Sequence, residues 1–178
     1  EENRRRGAVL AVRTAIKAGL FKADKTPEEK LDLLKTMGSA IITAYSEGRE
    51  TPLRQLAQVV MNPQAGTIGG CYLADSQTVI ISNTSLVTFL HEVAHHIQHE
   101  RDGATTEDYA RAFSLGLYRK ATPNLFAQAA VSGGLRFVRA QAAAGEAAAL
   151  TEAGVTAIQD PATVPTGTPD VPVTNVTP

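Results

Sequence analysis

Thr84-Ser85-Leu86-Val87-Thr88-Phe89-Leu90-His91-Glu92-Val93-Ala94-His95-His96-Ile97-Gln98-His99-Glu100-Arg101-Asp102-Gly103 is the stretch from which the rest of the chain is best read. Leu86, Leu90, Val93 and Ile97 recur at helical spacing, so a helix through them buries one continuous apolar stripe. Asn83, Thr84 or Ser85 supplies a capping oxygen at its start, and Gly103 supplies a left-handed stop at its end. His91 and His95 lie on a different face, one turn apart, with Glu92 beside the first. This is the H-E-x-x-H pattern, in which two imidazoles share one metal ion and the glutamate acts on water held there.

Two histidines do not complete a catalytic zinc site, which takes three protein ligands and leaves a fourth position open. His99 lies eight residues beyond His91, roughly 12 Å of helical rise, too far for one ion to be reached by both. His96 is turned by about 100° from His95, so both His96 and His99 are expected in supporting or solvent-facing roles. Glu100 and Asp102 share the problem of reach. The next helix is better placed, because Gly103 turns the chain back towards the histidines. Thr105 is expected to cap it, with Asp108 as the reciprocal partner of a capping box, which leaves Glu107 as the preferred third ligand and Asp108 as the alternative.

A pair of histidines satisfied within a core has the same spacing and is the competing reading. Three features favour metal: the adjacent glutamate, the apolar stripe that seats the helix, and strands just before it.

Outward from this stretch, residues 3 to 20 read as an amphipathic helix carrying Val9, Leu10, Val12, Ile16 and Leu20. Thr26-Pro27-Glu28-Glu29 starts a second helix to about Ser46, burying Leu31, Leu34, Met37, Ile41 and Ile42 or Tyr45. Thr51-Pro52 repeats that start signal for a third, shorter helix with Leu53, Leu56, Val59 and Val60, ending at Asn62-Pro63. Residues 67–73 and 78–82 are short β-branched or aromatic runs separated by Ala74-Asp75-Ser76-Gln77, a hairpin pattern. Gly69-Gly70 lacks the Lys-Ser/Thr of a phosphate loop and reads as a bulge or a close backbone approach. Tyr109, Phe113, Leu117 and Leu115 form the inward side of the helix after Gly103. Thr122-Pro123 begins an alanine-rich helical extension, and from Asp160 to Pro178 the composition suits an extended or disordered tail.

The chain of 178 residues is long enough for a sizeable core. Its 17 basic and 18 acidic residues leave no global field for nucleic acid or a membrane surface. Arg4-Arg5-Arg6 is a local exception, read as a solvated helix end because no aromatics interleave with it. Cys71 is the single cysteine, which excludes an internal disulfide and a cysteine-rich zinc ribbon, and it reads as a buried, inert thiol. No apolar run reaches the roughly 18 residues of a membrane span, and Glu1-Glu2-Asn3 lacks the layout of a signal peptide. The expectation is a cytoplasmic or virion-associated protein with no membrane partner and no nucleic-acid partner.

Phe89-Leu90-His91-Glu92-Val93-Ala94-His95-His96 resembles the active helix of small gluzincin-type metallopeptidases, including the ImmA/IrrE-like group often encoded by phages and mobile elements. Glu107-Asp108-Tyr109-Ala110-Arg111-Ala112-Phe113 is similar to that group's E-x-x-A-[ND]-x-F stretch, whose glutamate supplies the third ligand. Arg111 stands where those families usually carry Asn or Asp, and the gap from His95 to Glu107 is short. Some SprT-like zincins place a third histidine nearby, where this chain has Thr105. The resemblance covers about residues 66 to 120. It implies an α+β fold, a mostly helical zincin-like domain with a small β-hairpin or sheet beside the active helix. A helical region over residues 1–65, the core over 66–120, an alanine-rich helical extension over 121–158 and a tail over 159–178 complete the chain. It further implies that residues 78–82 form the edge strand beside the cleft.

On that resemblance the chain is a Zn2+-dependent endopeptidase acting on a protein or peptide substrate. Zinc is held by His91, His95 and Glu107, and Glu92 serves as general base. Tyr109 is a candidate oxyanion donor, with a core tyrosine as the competing role. A metallopeptidase-like binding or structural module without turnover is the rival from another class. A DNA-binding regulator is a third, for which the first 60 residues offer no reading helix.

Overall fold

A proline at the first helical position and a reciprocal cap start the longest helix among the described residues. In the computed structural model, which describes residues 1–65 and 69–125, the Thr26 hydroxyl accepts from the Glu29 amide at 3.1 Å and the Glu29 carboxylate accepts from the Thr26 amide at 2.8 Å. The helix they launch, α2 (Pro27–Ser46), packs against the preceding α1 (Glu2–Lys17). Gly7 makes the crossing close, since a Cβ there would stand 2.8 Å from the Ala44 Cβ. Ala8, Ala11, Val12 and Ala15 fill the α1 side of the contact, while Leu10, counted in the expected apolar stripe, is 66% exposed.

Residues 51–61 depart from expectation. Instead of a third helix, the chain runs extended from Pro52 and forms β1 (Gln58–Met61). Val59 and Val60 are β-branched and suit a strand. The segment is held from outside, by Arg54 donating three hydrogen bonds to the Glu100 carboxylate at 2.9–3.0 Å and by the Ala57 amide donating to the Gln77 carbonyl. Sequence periodicity registers neither of these long-range anchors.

The expected hairpin is present as β2 (Gly70–Leu73) and β3 (Thr78–Ile81), antiparallel, with Gln77 at φ 52 in its turn. The sheet order is β1-β3-β2, with β1 parallel to β3. The run 78–82 is therefore the central strand and not the edge: β1 occupies the side of β3 that the sequence reading left open. Val59, Val79, Ile81, Gly70 and Tyr72 share one face by register, and that face meets the helix carrying the histidines.

That helix is α3 (Leu86–Asp102), capped by the Ser85 hydroxyl and stopped at Gly103 with φ 79. Its stripe is buried as expected, with Leu90 and Val93 fully enclosed, and Gly38 of α2 approaches so closely that a Cβ would lie 2.9 Å from Phe89. α4 (Glu107–Ala121) packs on α3 and α1. Its cap is Thr106 accepting from the Tyr109 amide, not Thr105 with Asp108. One continuous apolar core joins α1, α2, the sheet, α3 and α4, giving an α+β protein, mostly helical, with a small sheet. Residues 123–125 begin a further helical turn, as Thr122-Pro123 suggested. The rest of the alanine-rich stretch, the tail, and residues 66–68 of the hairpin approach lie outside the described residues.

Candidate metal centre

The i, i+4 spacing puts the His91 and His95 rings on one side of α3, with centroids 4.8 Å apart. The left-handed Gly103 then lets the chain reverse, and α4 starts beside α3. Gln98 accepts from the Thr106 amide at 2.8 Å and fixes that start. Glu107, first residue of α4, is thereby delivered over the histidines. Its Oε1 lies 3.0 Å from His91 Nε2 and its Oε2 lies 3.0 Å from His95 Nε2.

Three potential donor atoms, one each from His91, His95 and Glu107, lie within 4.8 Å of one another. Donors sharing one zinc at about 2.1 Å stand no more than about 4.2 Å apart, so the cluster needs only small side-chain rotations to close on an ion. Two imidazoles and one carboxylate are a donor set that zinc accepts. Both imidazoles present the same nitrogen, Nε2, to the Glu107 carboxylate, and the described residues fit the metal in number and type.

Charge is balanced within the cluster. The hydrogen bonds from His91 and His95 hold the Glu107 carboxyl far below the usual carboxylate range, although its side chain is 60% exposed. Burial drives His91 towards its neutral form, but the hydrogen bond to Glu107 and the charges of Glu92 and Glu107 outweigh it and raise its pKa. Glu92 is buried, and burial pushes its carboxyl up, against the opposing pull of His91 and His95. A carboxylate so raised is a stronger base than one in water.

No protein-family model, curated protein or solved structure matches the chain. Its chemistry therefore has to be read from the geometry.

β2 supplies the wall next to Glu92. A Cβ on Gly70 would lie 3.2 Å from Glu92 Oε2 and 2.9 Å from Thr88 Cγ2, so the glycine is the close approach that the Gly69-Gly70 pair suggested. Cys71 alternates to the other face of the strand and is only partly buried; burial first, then Glu92, pushes its thiol up.

The remaining candidates go elsewhere. Asp108 does not face the histidines but stands 3.5 Å from Arg111. Tyr109 packs on Phe113 and under the Arg101 guanidinium, a structural setting. Glu100 and Asp102 are paired with Arg54 and Arg101. Arg4 donates to the Glu47 carbonyl and Arg6 to Asn3, so these two arginines are spent within the fold.

Of the two roles expected for His96, supporting or solvent-facing, the structure gives the first: it is fully buried, because β2 and the segment at Arg54 cover it. The Arg54 carbonyl can only accept, so His96 Nε2 donates to it at 2.7 Å and Nδ1 accepts from the Tyr72 hydroxyl at 2.8 Å. This neutral tautomer ties β2 and the 54 segment to α3 immediately behind the cluster. His99 is half-buried beside the Tyr72 ring. The sequence does not decide between those two roles, because the partners of His96 are 24 and 42 residues away.

Proposed function

We propose that the protein is a zinc-dependent metallopeptidase of the gluzincin type, hydrolysing peptide bonds in a protein or peptide substrate. The observation that carries this reading is the convergence of His91, His95 and Glu107 with the buried Glu92 alongside. His91, His95 and Glu107 would hold the ion through two nitrogens and a carboxylate. When bound, zinc supplies a Lewis acid that polarises a carbonyl and acidifies water.

Glu92 takes the proton of the attacking water and returns it to the departing amine, a role its raised pKa suits. The outer edge of β2 is unpaired among the described residues, and its Gly70 brings the strand backbone directly against Glu92. An extended peptide can add to that edge by main-chain hydrogen bonds, which would bring a scissile carbonyl next to the cluster.

Glu92→Gln tests the assignment. It keeps the side-chain volume and leaves the three donors untouched, so zinc stoichiometry should equal wild type while cleavage of a denatured protein substrate falls by at least about a hundredfold. Zinc-loaded Glu92→Gln cleaving at the wild-type rate removes Glu92 from the chemistry.

A second reading, a zinc-binding module without turnover, has one observation in its favour. Nδ1 of His95 is buried with no partner among the described residues, whereas ligating histidines usually have their second nitrogen held. Stoichiometric zinc in a wild-type protein that cleaves no member of a random peptide pool selects this reading.

A further inference from the structure

Arg111 is the group that neither the fold nor the proposed reaction uses. It lies one turn beyond Glu107 on the same face of α4, about 6 Å further along the axis. α4 runs antiparallel to α3, with Thr106 at its start against Gln98 near the end of α3 and Tyr118 near its end beside Leu86 and Val87 at the start of α3, so this step leads back past His91 towards the start of α3.

The side chain is only 23% exposed, and its Nε is buried without a partner. Among the described residues its guanidinium donates no hydrogen bond, and its single ion pair is the 3.5 Å approach to Asp108, itself 76% exposed. A half-covered guanidinium whose buried Nε has no partner is an unspent donor, and it points to an anion that arrives from outside. Planar N–H groups in a fork match a carboxylate in two-point geometry.

Resting on the metallopeptidase reading, we propose that Arg111 anchors a carboxylate of the substrate, next to His91, and so selects peptides that place a negative charge beside the scissile bond. The carboxylate comes either from the end of the peptide chain or from an Asp or Glu side chain. Both sources present the same two oxygens.

Three hydroxamate-tipped dipeptides titrated into the zinc-loaded full chain separate the possibilities, with binding read by calorimetry. One ends in a free carboxylate, one is its carboxamide, and one carries a Glu side chain and a carboxamide end. The expected result is that one or both carboxylate probes bind about ten- to a hundredfold more tightly than the neutral carboxamide, the worth of a charge-assisted pair. The tighter of the two identifies the source. Arg111→Gln should abolish the preference and Arg111→Lys should keep part of it, both with unchanged zinc content. Because the native guanidinium is under-satisfied, Arg111→Met should leave the metal-free Tm level or raise it. Equal binding of all three probes to wild type overturns the Arg111 inference and leaves the metal reading standing. Loss of fold or Tm in Arg111→Met overturns it in favour of a structural arginine. Failure of every probe to bind overturns the metal reading and this inference together.

Discussion

His91 is pulled in opposite directions by a proton and by a metal ion. In the metal-free protein its pKa is raised above the ordinary value of 6.5 by Glu107 and Glu92. The stability this contributes is full below that ordinary value and is lost as pH rises through the raised one. Zinc needs the neutral imidazole, so its binding gains as the same proton leaves. Glu107, held low, contributes above its ordinary value of 4.5 and stays ionised throughout the neutral range. His96, pushed down by burial, contributes equally with and without metal and cancels in the difference. The rise in Tm on adding zinc should therefore be larger at pH 8 than at pH 6, measured on the same protein by thermal melts. An equal or inverted difference shows that His91 is not the protonated partner of Glu107. The pairing of His91 with His95 is legible in the sequence because helical spacing alone fixes it. The burial of His96 is not, because it depends on Tyr72 and on the Arg54 carbonyl.

Among the elements, helices with local start and stop chemistry are readable and the strand held by remote partners is not. Thr26, Pro27 and Glu29 mark the start of α2, and Gly103 marks the end of α3, within a few residues of sequence. Thr51-Pro52 imitates the first of these signals, yet Arg54 binds Glu100 and β3 offers Val59 and Val60 a ladder, so the segment extends. Inserting β1 beside β3 also leaves β2, not β3, as the sheet edge next to α3, with Gly70 next to Glu92. Gly70→Val tests that contact. The added atoms enter space already within 3.2 Å of Glu92 Oε2, and on the proposed reading displacing the base by about 1 Å costs on the order of a hundredfold in rate. Zinc stoichiometry should stay the same, since Glu92 is not a donor. Full activity in Gly70→Val places the substrate somewhere other than over β2.

At the scale of the molecule, α3 is the layer between the sheet and the other helices. Its apolar stripe faces the core, Glu92 and His96 face β2, and His91 and His95 face the start of α4. The mostly helical character with a small sheet follows from period and turn signals. The packing order does not, since Gly7 and Gly38, which let α1 and α3 close on α2, look in sequence like weak points of helices. No helix among the described residues is long and apolar enough to cross a membrane.

The donors His91 and Glu107 are only 16 residues apart, joined by one helical reversal at Gly103. A loop that short closes at small entropic cost. An ion that closes this reversal early in folding would already be in place at the transition state. Zinc should thus speed refolding in stopped-flow mixing about as much as it stabilises the product, while leaving the unfolding rate nearly unchanged. The metal would then act as a kinetic nucleus for the chain as well as a reagent in its cleft.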